Sequence, residues 1–102
     1  MQNIAIQVHL DKPRMLHFTM DSAELAETKF GINLMQIDHK KMGFTTMKQI
    51  IFAALLDDDP SLKYEKVGRI IDAYEPGPID LIEKAAEAMK SFLRTTGRKS
   101  TQ

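Results

Sequence analysis

The sequence predicts an α+β domain, mainly α, in which an N-terminal β-hairpin packs on a small bundle of about four to five helices. Three observations predict it. Residues 4–20 alternate apolar and polar around a break at Asp11-Lys12-Pro13, the pattern of two half-buried strands and a turn. Beyond Asp21 the apolar residues recur at helical spacing, the pattern of helices with one buried face. The chain has 102 residues, enough for one core and not for two. The expected organisation is a single domain over residues 1–94 and a flexible tail over 95–102.

The first strand places Ile4, Ile6, Val8 and Leu10 on one face and Gln7 and His9 on the other; the second points Leu16, Phe18 and Met20 inward. A lone hairpin is marginal in water, so its apolar face must lie on helices. Asp21, with Glu24 three residues on, has capping-box spacing. It opens a helix carrying Ala23, Leu25, Ala26 and Phe30, which Gly31 stops. Ile32 to Ile37 predicts one or two helical turns with Asn33 as a cap, followed by the polar connector Asp38-His39-Lys40-Lys41. Thr45 or Thr46 is the expected cap of the next helix. There Met47, Ile50, Ile51, Ala54 and Leu55 recur with Phe52 and Leu56 beside them, which predicts a central helix.

Asp57-Asp58-Asp59-Pro60 breaks that helix. The next carries Val67, Ile70, Ile71 and Tyr74, and Gly68 inside it suggests close approach of another backbone. Glu75-Pro76-Gly77-Pro78 is a second break, with Pro78 suited to the first turn of a last helix. Its stripe is Ile79, Ile82, Ala85, Ala86, Met89 and Phe92. Residues 95–102 contain no apolar side chain and include Gly97, Arg98 and Lys99, the composition of a linker.

Composition excludes several classes. Fourteen basic and fourteen acidic residues give zero formal net charge. That speaks against a dedicated nucleic-acid binder, which needs a basic excess to displace counterions, and leaves self-association unopposed by repulsion. The absence of cysteine removes disulfides, thiolate nucleophiles and cysteine-ligated zinc. No apolar run approaches the roughly 20 residues that span a bilayer, and Met1-Gln2-Asn3-Ile4 lacks the charged start of a signal peptide. A cytoplasmic protein without membrane partners is the expectation.

The residues that could carry chemistry are sparse. Asp57-Asp58-Asp59 lacks the alternating ligands, glycine and terminal glutamate of a calcium loop, and reads as a solvated junction in which Asp59 helps a turn. His9 and His17 could face each other across the hairpin but lack the ligand density of a metal site; His39 sits in the charged connector. Ser22, Ser61, Ser91 and Ser100 have no nucleophile context, and the five glycines are scattered. Lys40-Lys41 and Arg94, Arg98 and Lys99 lack interleaved aromatics for stacking on bases. No catalytic, cofactor or metal residue is assigned, and the expectation is not an enzyme but a protein-binding domain.

The seven methionines are the remaining feature, because methionine fills core gaps and also serves adaptable binding surfaces. Met42, Phe44 and Met47, with Met89 and Phe92 in the last helix, are the expected partner-binding residues. They put apolar bulk near element ends, where burial within one domain is least assured.

The ordered pattern resembles the tail assembly chaperones of long-tailed bacteriophages and related prophages. The strand pair from Ile4 to Met20 is followed by Leu25 through Phe30-Gly31. Next come Ile50-Ile51-Phe52-Ala53-Ala54-Leu55-Leu56 and the acidic-proline turn Asp58-Asp59-Pro60-Ser61-Leu62. Then Glu65-Lys66-Val67-Gly68-Arg69-Ile70-Ile71-Asp72 precedes an alanine-rich closing helix, Ile79 to Leu93. The resemblance covers about nine tenths of the chain by the order of its helix and turn signals, and Asp58 through Asp72 is its most distinctive part. Where the family often has a threonine cap after the acidic-proline turn, this chain has Lys63, leaving Ser61 to cap or the helix to start elsewhere.

The resemblance implies a protein that binds the tape measure protein, a long hydrophobic helical chain, and keeps it soluble while tail tube subunits assemble around it. It also implies a longer form made by ribosomal frameshift, whose extension recruits the tail tube protein, and a place in the host cytoplasm rather than the mature virion. A small helical nucleic-acid-binding regulator and a structural subunit of a phage particle are the alternatives.

Overall fold

Asn3 and Ile4 anchor the start of the chain from two directions. Asn3 Nδ2 donates to the Phe18 carbonyl at 2.7 Å, and the Ile4 N–H donates to Ser91 Oγ at 2.9 Å. The computed structural model describes residues 3–98, with side chains through residue 94. Strands β1 (Ile6–His9) and β2 (Pro13–Leu16) form an antiparallel hairpin in which Ile6 pairs with Leu16 and His9 with Pro13. Helices α1 (Met20–Phe30), α2 (Phe44–Leu55), α3 (Val67–Asp72) and α4 (Pro78–Arg98) follow. Single 3-10 turns lie at Leu34–Gln36 and Tyr64–Lys66. The α+β class, mainly α, with its hairpin on a small helical bundle, is the observed architecture.

The hairpin is part of the core. Val8, Leu10, Leu16 and Phe18 are buried, with Leu16 and Phe18 wholly so. Ile6 is only half-buried, and Ile4 and Met20 stand exposed instead of facing inward. Met20 lies outside the strand pattern because it is the first residue of α1. The cap of that helix is Thr19, not Asp21: Thr19 Oγ1 accepts from the Ser22 N–H at 3.1 Å and Ser22 Oγ accepts from the Thr19 N–H at 2.7 Å. Two hydroxyls complete the reciprocal capping pair, which leaves Asp21 in the first turn, where its charge suits the helix dipole. Gly31, at φ +70°, ends α1 by donating to the Glu27 carbonyl, as its position predicts. Asn33 Oδ1 caps the turn after it, accepting from the Met35 N–H at 3.0 Å.

Helix α2 is central. Met47 and every residue from Ile50 through Leu55 are buried. It begins two to three residues earlier than the threonines suggest: Gly43 is the capping position, without a side-chain bond, and its carbonyl accepts from the Met47 N–H at 3.0 Å. The first residue of the helix packed in the core is Met47, one turn further on. Phe30, Phe52 and Tyr64 form an aromatic cluster joining α1, α2 and the second 3-10 turn, with centroids 5.4–6.1 Å apart. Lys48 Nζ lies 4.6 Å from the centre of the Tyr64 ring. The Lys48 side chain also explains the surroundings of Gly68. A Cβ there would meet Lys48 Nζ at 3.7 Å and Cε at 3.8 Å, so a flexible side chain, not another backbone, lies beside it.

Lys63 provides no cap, and Ser61 turns back to Asp59 Oδ1 at 2.8 Å; the chain instead enters α3 through the 3-10 turn. Gly77, at φ +98°, makes the break before α4, and its carbonyl accepts from the Leu81 N–H. The buried stripe of α4 is Leu81, Ile82, Ala85, Ala86, Ala88, Met89 and Phe92; Ile79, expected in it, is exposed in the first turn. The helix runs to Arg98, four residues into the segment expected to be a tail. The rest of that segment lies outside the described residues. Among the described residues no helix is long and apolar enough to cross a membrane.

Candidate functional site

The three aspartates after α2 each reach the hairpin. His17 Nδ1 lies 2.9 Å from Asp57 Oδ2, the Met15 N–H donates to Asp58 Oδ2 at 3.4 Å, and Arg14 Nη1 lies 3.3 Å from Asp59 Oδ2. The His17 N–H donates to the Ala54 carbonyl at 3.0 Å, taking up one of the acceptors freed at the end of α2. The acidic run is therefore a clasp between β2 and α2. Arg14, unremarkable in the sequence, is its centre: a buried guanidinium, 5% exposed, forked onto Asp11 by Nε–Oδ1 at 2.7 Å and Nη2–Oδ2 at 3.0 Å. The Arg14 hydrogen bond holds the Asp11 carboxyl below its ordinary range.

This clasp borders an open cleft of about 550 Å³ that Lys63, Glu65, Lys66 and Arg69 also line. Its one buried cation is already committed to two carboxylates, so the arrangement reads as structural. His17 and Asp57 form a pair of the kind that orients a general base, yet Ser22, Ser61 and Ser91 are hydrogen-bonded elsewhere. His9 is not brought to His17: it pairs with Pro13 at the turn end of the hairpin. Among the described residues no group of three potential ligands could hold a metal.

A more apolar groove of about 470 Å³ lies between α1, the segment after it and the end of α4. Buried Ile32, Leu34 and Phe92, with half-buried Ala23 and Leu93, line its apolar base. Met20 and Met35 border it, 66% and 77% exposed. Local structure places both. The Thr19 cap starts α1 at Met20, so that side chain leaves the strand pattern. The Asn33 cap fixes the 3-10 turn, which buries Leu34 and turns Met35 out. Long unbranched thioether side chains held in solvent can adapt to different apolar partners.

Of the five residues expected to bind a partner, Phe92 alone lines this groove. Met47 and Met89 are buried in the core, and Met42 is half-buried against it. Phe44 is 78% exposed but stands at the first turn of α2, outside the groove. The helical spacing of Met47 and Met89 is the reason: it sets them on the inward stripes of α2 and α4. The exposure of Met20 and Met35 beside the groove is not legible in the sequence, because one sits in a strand-like alternation and the other in a segment too short to show a face. Comparison with protein-family models, with curated proteins and with solved structures gives no match.

Proposed function

We propose that this chain is a tail assembly chaperone of long-tailed phage or prophage type, which holds amphipathic helices of the tape measure protein and keeps them from aggregating. The observation that carries the reading is the methionine-bordered apolar groove between α1 and the end of α4. A helix laid in such a groove buries its apolar stripe while its polar face stays in water. The resemblance of the ordered elements, from the hairpin to the alanine-rich α4, supplies the identity of the client. A frameshifted longer product would carry a recruiting extension for the tail tube protein beyond α4, in the host cytoplasm and outside the finished particle.

The test is co-expression with the tape measure protein, the product of a very long reading frame expected immediately downstream. With this chain present the tape measure protein is expected in the soluble fraction. With the Met20→Asp/Met35→Asp variant it is expected in the pellet. A tape measure protein that stays insoluble beside the parent chain overturns the reading.

A further inference from the structure

Among the described residues the groove is charged on one side only. Asp21, Glu24 and Glu27 of α1 line it beside the apolar base, and no lysine, arginine or histidine does so among the described residues. The whole chain carries zero formal net charge, so three carboxylates on one small surface are a local excess. None of the three is in an ion pair among the described residues, whereas Asp11, Asp59 and Asp80 are. An apolar trough with an unneutralised acidic edge favours one polarity of partner and repels the other.

We propose that the groove selects its client by charge: it takes an amphipathic helix whose apolar stripe is bordered by lysine or arginine, which lie against Asp21, Glu24 and Glu27. This rests on the helix-holding reading above. The stripe occupies the trough over Ile32, Leu34 and Phe92. The long basic side chains extend along α1 and keep their heads in water. A helix with the same stripe and an acidic border meets like charge along the α1 edge.

Two synthetic amphipathic helices with one leucine stripe, bordered by lysine in the first and by glutamate in the second, test this by fluorescence anisotropy with the full chain. Exposed opposite-charge pairs contribute modestly and are screened by salt, so the lysine-bordered helix should bind roughly tenfold tighter at low salt and less so at physiological salt. Glu24→Lys/Glu27→Lys lies on exposed positions, should melt with the parent, and should reverse the preference.

Equal binding of the two helices, or a preference unchanged by the reversal, overturns charge selection and leaves the chaperone reading standing. Binding of neither helix, with the tape measure protein still kept soluble, also overturns it, because the client is then held elsewhere. A dimer in light scattering that Met35→Asp splits would place a second copy in the groove and overturn it as well. Clear discrimination between the helices with an insoluble tape measure protein would keep the selection and discard the named client.

Discussion

Arg14 and Asp59, 45 positions apart, meet at 3.3 Å and tie the hairpin to the residues just past α2. Because the Arg14 side chain is 5% exposed while Asp11 and Asp59 are 43% and 26% exposed, the cost of breaking the clasp is asymmetric. Neutralising both carboxylates strands a buried cation; removing the cation leaves two carboxylates that water can reach. Asp11→Asn/Asp59→Asn should therefore lower the melting temperature clearly. Arg14→Met should stay within about 1 kcal/mol of the parent, since the two carboxylates it leaves behind are not buried and water can solvate them. The opposite ranking in chemical denaturation would show that the packing of the Arg14 side chain, and not its pairing with the two carboxylates, holds the hairpin down.

The same carboxylates set the acid limit. Asp11 is lowered by its bond from Arg14, Asp59 by its bonds from Ser61 and then Arg14, and Asp80 by its bonds from Tyr74 and then Lys84. Groups with depressed folded-state values contribute stability that is present above the unfolded value near 3.8 and lost as pH falls through the lower folded values. Thermal melts from these groups should be flat between neutral pH and about 4, then fall below it. A loss of stability centred on pH 6–7 would assign the limit to a histidine instead.

The hairpin should be inseparable from the helices. Phe18 is fully buried, and Phe18→Ala should cost about 3–5 kcal/mol. Ile6 is only half-buried, so Ile6→Asp should cost less than Phe18→Ala. A Leu16→Ala chain, changed at a wholly buried position of β2 itself, that melts like the parent would make the hairpin an appendage.

Two small residues should respond in opposite directions. Gly31 at φ +70° sits where a Cβ is strained, so Gly31→Ala should lose about 1 kcal/mol. Gly68 lies in α3 beside only the mobile end of Lys48, and Gly68→Ala should gain about 0.5 kcal/mol. Thr19→Ala should cost about 1 kcal/mol, and Asp21→Ala less, if Thr19 is the cap. Denaturation midpoints of the four variants check all of this.

Much of the fold was legible because periodicity is a local property. The alternation before and after Asp11-Lys12-Pro13 gave the hairpin, and the stripes of α2 and α4 gave the core helices. Caps were less legible, since Thr19 and Asp21 both offer acceptors and only the backbone decides between them. The aspartate clasp was not legible: what Asp57, Asp58 and Asp59 do depends on partners 40–45 positions away. The groove was half legible. Phe92 lines it, but Met20 and Met35 border it through the local geometry of a cap and a single 3-10 turn.

The methionine methyl groups offer the most direct test of the proposed helix-holding groove, because they report separately in one carbon-edited NMR spectrum. On addition of a tape measure helix to the labelled chain, the Met20 and Met35 methyl signals should shift or broaden first, and Met47, buried on the far-reaching core stripe of α2, should hold its position. Unmoved Met20 and Met35 signals in a spectrum where Met42 or Met47 responds would contradict the groove and place the client on α2.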